Sequence, residues 1–454
     1  SNPSYEAERH DLYSYGCPTS LMQAPIIELI NTYPTSNTID KIYDKTTADF
    51  LIKGMFKNEL FPLYTHQERS IKSAQNKNVI ITTGTGSGKT ECFLIPIIAD
   101  LVKESETWKT NGYKENVVRT LIMYPLNALA EDQLKRMRKA LDCDAAHDFY
   151  KDLGFNFSFG RYTSRTPKTL SEAEKDFDDA WRGLDGTDKE LEFMFPRDKK
   201  KCSPNDPRAE LISRDVMIGT QVGKKATPPD ILITNYSMLD VMLMRKKENI
   251  IFDKTKEWIE ADPAHKFTIV IDELHTYRGT SGTEVSYILK NLLYRLGLNN
   301  RPNQIRFIAS SASLGDDSEE SKSKRNEFIS DFFGIARDKV EEKFDVIPDQ
   351  KIEVKDDHEL NEDAIKLLKT FESDKAQLTK ERAIDFVNNF GIKNKLRWAS
   401  LNIDGNYRAT SIDVISKKLL PNNPELTEIF FLTINEALKK DVNNDKERAI
   451  QPIR

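Results

Sequence analysis

The sequence predicts an α/β fold in which a parallel sheet carries helices on both faces, with an N-terminal extension and a C-terminal helical subdomain. Three observations predict it. A short β-branched run followed by a turn and a helix recurs at "NVIITTGTGSGKTECFLIPIIADLV", "RTLIMYPLNALAEDQLKRMRKAL", "DILITNYSMLDVMLM", "FTIVIDELH" and "IRFIASSASLG". Strands alternating with helices form parallel sheets, because each connecting helix packs back on the sheet. The first unit has a glycine-rich turn between strand and helix. The chemically unusual residues of the other units fall at strand carboxyl ends, where open parallel sheets place their ligands.

Taken in order, residues 1–57 are polar and aromatic with Pro and Thr punctuation ("YPTSNTID"), and read as an extension. Residues 58–346 hold the repeating units and form the main domain. Its first strand spans Val79 to Thr82, and its helix begins near Gly88. Residues 163–229, rich in Asp, Lys and Arg, interrupt the pattern as a polar insertion. After Gly315 the composition turns to Lys/Glu-rich helical segments, and residues 347–450 read as a helical accessory region. Residues 451–454 read as the start of a link to a further domain.

Composition bounds the function. The 454 residues are 38% hydrophobic and 31% charged, as in a globular protein with long solvated helices. A formal charge of -5 supplies no global basic field, so any nucleic acid must be held by a local groove. The four cysteines, Cys17, Cys92, Cys143 and Cys202, stand singly. That argues against a zinc site and a disulfide framework and for a reducing, cytoplasmic setting. No apolar run reaches the length of a membrane span, so no membrane partner is expected.

The most informative run is "TGTGSGKT", Thr83 to Thr90. Gly84, Gly86 and Gly88, with Thr85 and Ser87 between them, let backbone N–H groups converge on phosphate oxygens at a helix N-terminus. Lys89 is placed for the β- and γ-phosphates of ATP, and Thr90 for Mg²⁺. A plain glycine turn is the bland alternative, but strand and helix flank this one as a phosphate loop requires.

"IVIDELHTYRG" then gains a reason. A buried-type strand that runs into Asp272 and Glu273 is costly unless the carboxylates have work to do. Mg²⁺–ATP needs a carboxylate on the metal and a base to orient the attacking water. Asp272 suits the first role and Glu273 the second, while His275 lies where it could sense the γ-phosphate. A capping pair that opens a helix is the competing reading of an Asp–Glu dipeptide alone.

With these motifs the chain resembles a superfamily-2 helicase of the DEAD/DEAH-box kind over residues 50 to 315, which implies a RecA-like P-loop NTPase domain. "LYTHQ" resembles the adenine-reading motif, which implies Gln67 on the adenine edge and Phe50 as its stacking partner. "YPLNALAEDQ" resembles the first nucleic-acid-gripping motif, through Pro125 and Asn127. "TNYSML" resembles the second, through Thr234 and Asn235. "SASLG" resembles the motif that couples hydrolysis to domain closure, through Ser311 and Ser313. Arg161 and Arg165 in "GRYTSRTP" are further candidates for phosphate contact. The wording of "TGTGSGKTE", "PPDILITNYSML" and "SASLG" is most similar to the Hrq/YprA-type branch, which includes DNA-repair helicases and large helicases of bacterial anti-phage systems.

The resemblance implies an ATP-dependent helicase or translocase acting on DNA, single-stranded or duplex with a single-stranded region, with repair or defence subunits as potential partners. Two rivals remain: an RNA helicase, and a nucleotide-gated scaffold in a defence complex. Asn127, where DEAD-box RNA helicases carry Arg-Glu, leans towards DNA. No Q-x-x-G-R-x-x-R run supplies the arginine finger of a second RecA-like domain. The sequence therefore reads as the N-terminal piece of a longer helicase, near-inactive by itself.

Overall fold

The computed structural model describes residues 26–27, 33–56, 58–84, 86–183, 208–220, 225–312, 314, 318–348, 359–401 and 410–438. The chain divides into two compact units, one of residues 33–350 and one that joins residues 1–32 to 351–454.

The larger unit is built on an eight-stranded sheet, every pair of which is parallel. In chain order, β1 (Thr35–Thr38) and β2 (Pro62–Tyr64) form a separate antiparallel pair around α1 (Lys45–Gly54), and α2 (Thr65–Ser73) follows. The main sheet then takes β3 (Asn78–Thr82), β4 (Thr120–Met123), β5 (Phe159–Arg161), β6 (Glu210–Leu211), β7 (Ile231–Thr234), β8 (Phe267–Ile271), β9 (Ile305–Ser310) and β10 (Phe344–Pro348). Their spatial order is β10-β3-β9-β8-β4-β7-β5-β6.

Alternation along these strands feeds two cores. Val79, Ile81, Ile122, Ile233, Val270 and Ile308 face one side, packed under α1, α3 (Lys89–Asn111), α4 (Asn127–Leu141) and α5 (Asp144–Leu153). Ile80, Leu121, Met123, Leu232, Ile269 and Ala309 face the other, under α8 (Tyr236–Met244), α9 (Asn249–Ala261), α10 (Thr280–Arg295) and α11 (Glu319–Phe333). Strands buried on both faces explain why their sequences are apolar throughout. This is the parallel α/β arrangement with helices on both faces that the sequence predicted.

Two features differ from the sequence reading. The larger unit already begins at Tyr33, because α1 is amphipathic and drives Phe50 and Leu51 into the core. The polar stretch 163–229 contributes α6 (Leu170–Gly183), the edge strand β6 and α7 (Arg214–Ile218). A two-residue strand is too short to leave a period in sequence.

Among the described residues the smaller unit contains the helices Glu362–Ser373, Lys380–Asn389, Ile392–Ala399, Ile412–Leu419 and Thr427–Leu438. Leu368, Phe371, Phe386, Leu419 and Phe430 form their common core. The two-residue strands Ile26–Ile27 and Thr410–Ser411 pair antiparallel beside them. Among the described residues no helix is long and apolar enough to cross a membrane.

Candidate nucleotide site and nucleic-acid face

The site is set by strand register. Ile81 of β3 lies opposite Ser310 of β9, and Ala309 of β9 opposite Ile271 of β8. The three strands therefore finish level, with the glycine loop after β3 and Asp272 after β8. One intervening strand places those two termini roughly 10 Å apart, which leaves room between them for a phosphate chain.

The loop itself curls as a phosphate cradle must. Gly86 and Gly88 have φ of 79° and 75°, left-handed values that a side chain would strain. A Cβ at Gly88 would also run into Gln67 Nε2 and displace that amide from the loop. Thr83 and Ser87 are fully buried and joined by a 2.5 Å hydroxyl–hydroxyl bond that closes the base of the loop. Lys89 opens α3, and its Nζ donates to the Thr83 carbonyl at 3.1 Å. The Thr90 hydroxyl accepts from Gln133 Nε2 at 3.4 Å. Gly84 lies between β3 and this turn, and Thr85 lies outside the described residues.

Asp272 is 8% exposed, and burial raises its pKa above the ordinary carboxylate value. Its Oδ1 accepts from the Ser310 hydroxyl and from the Glu273 N–H, the latter at 3.1 Å. Among the described residues no cation lies within ion-pair distance of it. Glu273 has φ 53° and ψ 47°, a left-handed conformation that costs a residue other than glycine about 1–3 kcal/mol. Such strain is held where function needs it, and here the Asp272 carboxylate and Ser310 Oγ hold the Glu273 N–H in place.

His275 sits in the following turn, Leu274–Thr276. Its Nδ1 lies 3.3 Å from Glu273 Oε2, 3.2 Å from the Ala312 N–H and 3.5 Å from Ser311 Oγ. One ring nitrogen thus faces both an acceptor and a donor, and the tautomer decides which bond forms. That ties the Asp–Glu pair to the turn after β9. Ser311 is fully buried and its N–H donates to Ile81 O at 2.8 Å, while Ser313 lies outside the described residues.

The two runs expected to grip nucleic acid meet at the adjoining strand ends. Asn235 Nδ2 donates to Asn127 Oδ1 at 2.7 Å, while Asn235 Oδ1 caps α8 through the Met238 N–H at 2.8 Å. Asn127 Nδ2 reaches Ser164 Oγ at 3.4 Å. Pro125 is half-buried beside Leu126, which is 64% exposed.

Four expected site residues are engaged elsewhere. Phe50 is 5% exposed and sits among Phe149, Tyr150 and Phe157, with centroids 4.9 to 6.3 Å away, so it is a core residue and offers no face to adenine. Thr234 is fully buried, and its hydroxyl donates to Tyr162 O at 2.7 Å, so its side chain cannot reach a nucleic-acid strand. Arg161 is ion-paired with Glu131, which competes with any phosphate for it. Gln67 is 6% exposed and both ends of its amide are engaged: Oε1 accepts from the Tyr64 N–H at 2.9 Å, and Nε2 donates to Gly88 O at 3.1 Å. Its visible contact is with the loop.

Ser310 and His66 escaped the sequence reading. Ser310 adjoins Ser311 in "ASSAS", and the strand register alone shows which serine meets Asp272. His66 adjoins Gln67 in "THQ" and reaches the loop as well.

Residues 64–170 match the family described as DEAD/DEAH box helicase. Druantia protein DruE of Escherichia coli is 33% identical over 296 residues, covering 56% of this chain and 16% of that protein. YprA of Bacillus subtilis, described as an uncharacterized ATP-dependent helicase, is 23% identical over 240 residues, 53% of this chain and 21% of its own length. Among solved structures, the DUF1998 helicase MrfA bound to DNA and AMPPNP aligns over 72% of this chain and 32% of its own, with 19% identity and a TM-score of 0.41. The chain spans less than a third of the length of the curated relatives it matches. The family match spans the glycine loop, which ends level with the Asp–Glu pair at one sheet edge.

Proposed function

We propose that the larger unit is the ATP-binding motor domain of an ATP-dependent DNA helicase or translocase that works in DNA repair or anti-phage defence. The observation that carries this reading is the level ending of β3, β9 and β8. It sets the left-handed glycine loop, with Lys89 and Thr90 behind it, across from Asp272 and Glu273. Lys89 leaves the Thr83 carbonyl to pair with the phosphates, and Glu273 orients the attacking water and accepts its proton.

Magnesium fits this donor set. Asp272 is a buried carboxylate without a cationic partner among the described residues, and the Thr90 hydroxyl is a hard oxygen donor. An ion held mainly by phosphates and water needs only one or two such protein ligands. When bound it would neutralise phosphate charge between Thr90 and Asp272.

The Asn127–Asn235 pair, together with Pro125, supports a strand-gripping face beside the nucleotide. Asn127 in place of Arg-Glu favours DNA over RNA. The test is ATP turnover with single-stranded DNA, duplex DNA or RNA as stimulator, using the longest chain that contains these residues. DNA stimulation supports the reading, and stimulation by RNA alone overturns the choice of substrate. Lys89→Ala should abolish nucleotide binding in calorimetry. Glu273→Gln should retain binding and lose turnover, because an amide cannot take the water's proton. Biological activity that survives loss of turnover would favour a nucleotide-gated scaffold.

A further inference from the structure

We infer that His66 is a positioning residue of the phosphate loop: with Gln67 it holds two successive outward-facing carbonyls, so that the N–H groups of the same peptides point at phosphate. This rests on the proposal that ATP binds this loop. His66 Nε2 lies 2.9 Å from Ser87 O, and Gln67 Nε2 donates to Gly88 O at 3.1 Å. Ser87 O can only accept, so Nε2 carries the proton in this contact.

The chemistry follows from peptide connectivity. Ser87 C=O and Gly88 N–H belong to one peptide unit, and Gly88 C=O and Lys89 N–H to the next. In a phosphate cradle the N–H groups converge inward. Their carbonyls must then turn away, and buried carbonyls need donors. His66 donates to the Ser87 carbonyl and Gln67 to the Gly88 carbonyl, which the Cys92 thiol also approaches at 3.6 Å. Each also polarises its peptide, which strengthens the N–H on the other end as a donor to an anion.

The imidazole is fixed well enough to do this. His66 is 1% exposed. Its ring stacks on Tyr64 at a centroid distance of 5.6 Å and meets Tyr33 edge-on at 5.1 Å. The Tyr64 backbone N–H is itself bonded to Gln67 Oε1, so a single short segment carries both clamps and the ring that braces one of them.

Side-chain length gives the test. The amide nitrogen of Gln sits near the position of Nε2, and that of Asn near Nδ1. We would measure the dissociation constant of a non-hydrolysable ATP analogue with Mg²⁺ by calorimetry, for the wild-type protein of residues 1–454 and for His66→Gln, His66→Asn, His66→Ala and Lys89→Ala. The melting temperature of each without nucleotide reports folding. His66→Ala and His66→Asn should weaken binding about tenfold, and His66→Gln should stay within about threefold of wild type, as expected for one buried hydrogen bond. A purely structural role would track the melting temperature and would not separate Gln from Asn. If His66→Ala fails to fold, the Gln and Asn pair still decides. Equal affinity of Gln and Asn variants, beside a Lys89→Ala that does not bind, overturns the role of His66 alone. Undiminished binding by Lys89→Ala overturns the ATP site itself.

Discussion

Asp272 receives two donors, the Ser310 hydroxyl and the Glu273 N–H, and both meet the same oxygen, Oδ1. An asparagine can keep both contacts through its own Oδ1 while it removes a buried charge. Without metal, the ionised carboxylate is a burden: burial raises its pKa, so the folded chain holds this proton more tightly than the unfolded chain does. Its ionisation therefore subtracts stability above the raised value, and that penalty disappears as pH falls into the ordinary carboxylate range. Asp272→Asn should raise the melting temperature of the nucleotide-free protein by about 2 °C at neutral pH, and the gain should shrink on acidification. The same variant should lose magnesium-dependent ATP binding. Paired melting and calorimetry measurements check both, and an unchanged or lowered melting temperature would contradict the cost assigned to Asp272.

At the scale of elements, α1 and the start of β7 each give a test. Phe50 anchors α1 against Phe149 and Phe157, so Phe50→Ala should cost about 3–5 kcal/mol by urea denaturation. Phe50→Leu, which keeps most of the volume, should leave ATP affinity unchanged. An affinity loss in the Leu variant at intact stability would return Phe50 to the adenine site. Ahead of β7, Asp230 is fully buried and bonds Lys114 Nζ at 2.5 Å, Arg119 Nη1 at 2.7 Å and the Ser158 N–H at 2.7 Å. Lys114 has its pKa lowered chiefly by burial, so this carboxylate is what keeps a charged amine tolerable there. Asp230→Ala would leave the buried Lys114 without its carboxylate and Arg119 with Glu104 alone, and should destabilise by about 3–5 kcal/mol. A loss under 1 kcal/mol, measured the same way, would mean that water replaces the carboxylate.

At the scale of the whole molecule, turnover depends on charge delivered to the γ-phosphate. Preorganised positive charge is usually the largest catalytic contribution, and an arginine finger contributes about 10³- to 10⁵-fold in related phosphate chemistry. The 454 residues hold no Q-x-x-G-R-x-x-R run. A protein of this sequence alone is expected to bind ATP and to release phosphate slowly, with or without single-stranded DNA. Steady-state phosphate release checks it. Fast, DNA-stimulated turnover would direct attention to Arg165 and Arg278 as arginines acting within the chain.

The sequence by itself determined the parallel α/β class, the left-handed glycine loop at a strand end and the Asp272–Glu273 pair. Each is written in a contiguous run whose chemistry is local: glycines where φ is positive, a lysine at a helix start, carboxylates at the end of an apolar strand. Tertiary structure decided which neighbours of those runs take part. His66 meets Ser87 across 21 residues, and Asn127 meets Asn235 across 108. Strand register chose Ser310 as the partner of Asp272, and packing placed Phe50 in the core and Thr234 beneath the surface. The physical reason is that such contacts depend on how elements distant in the chain are brought side by side, and neither period nor spacing within a run records that.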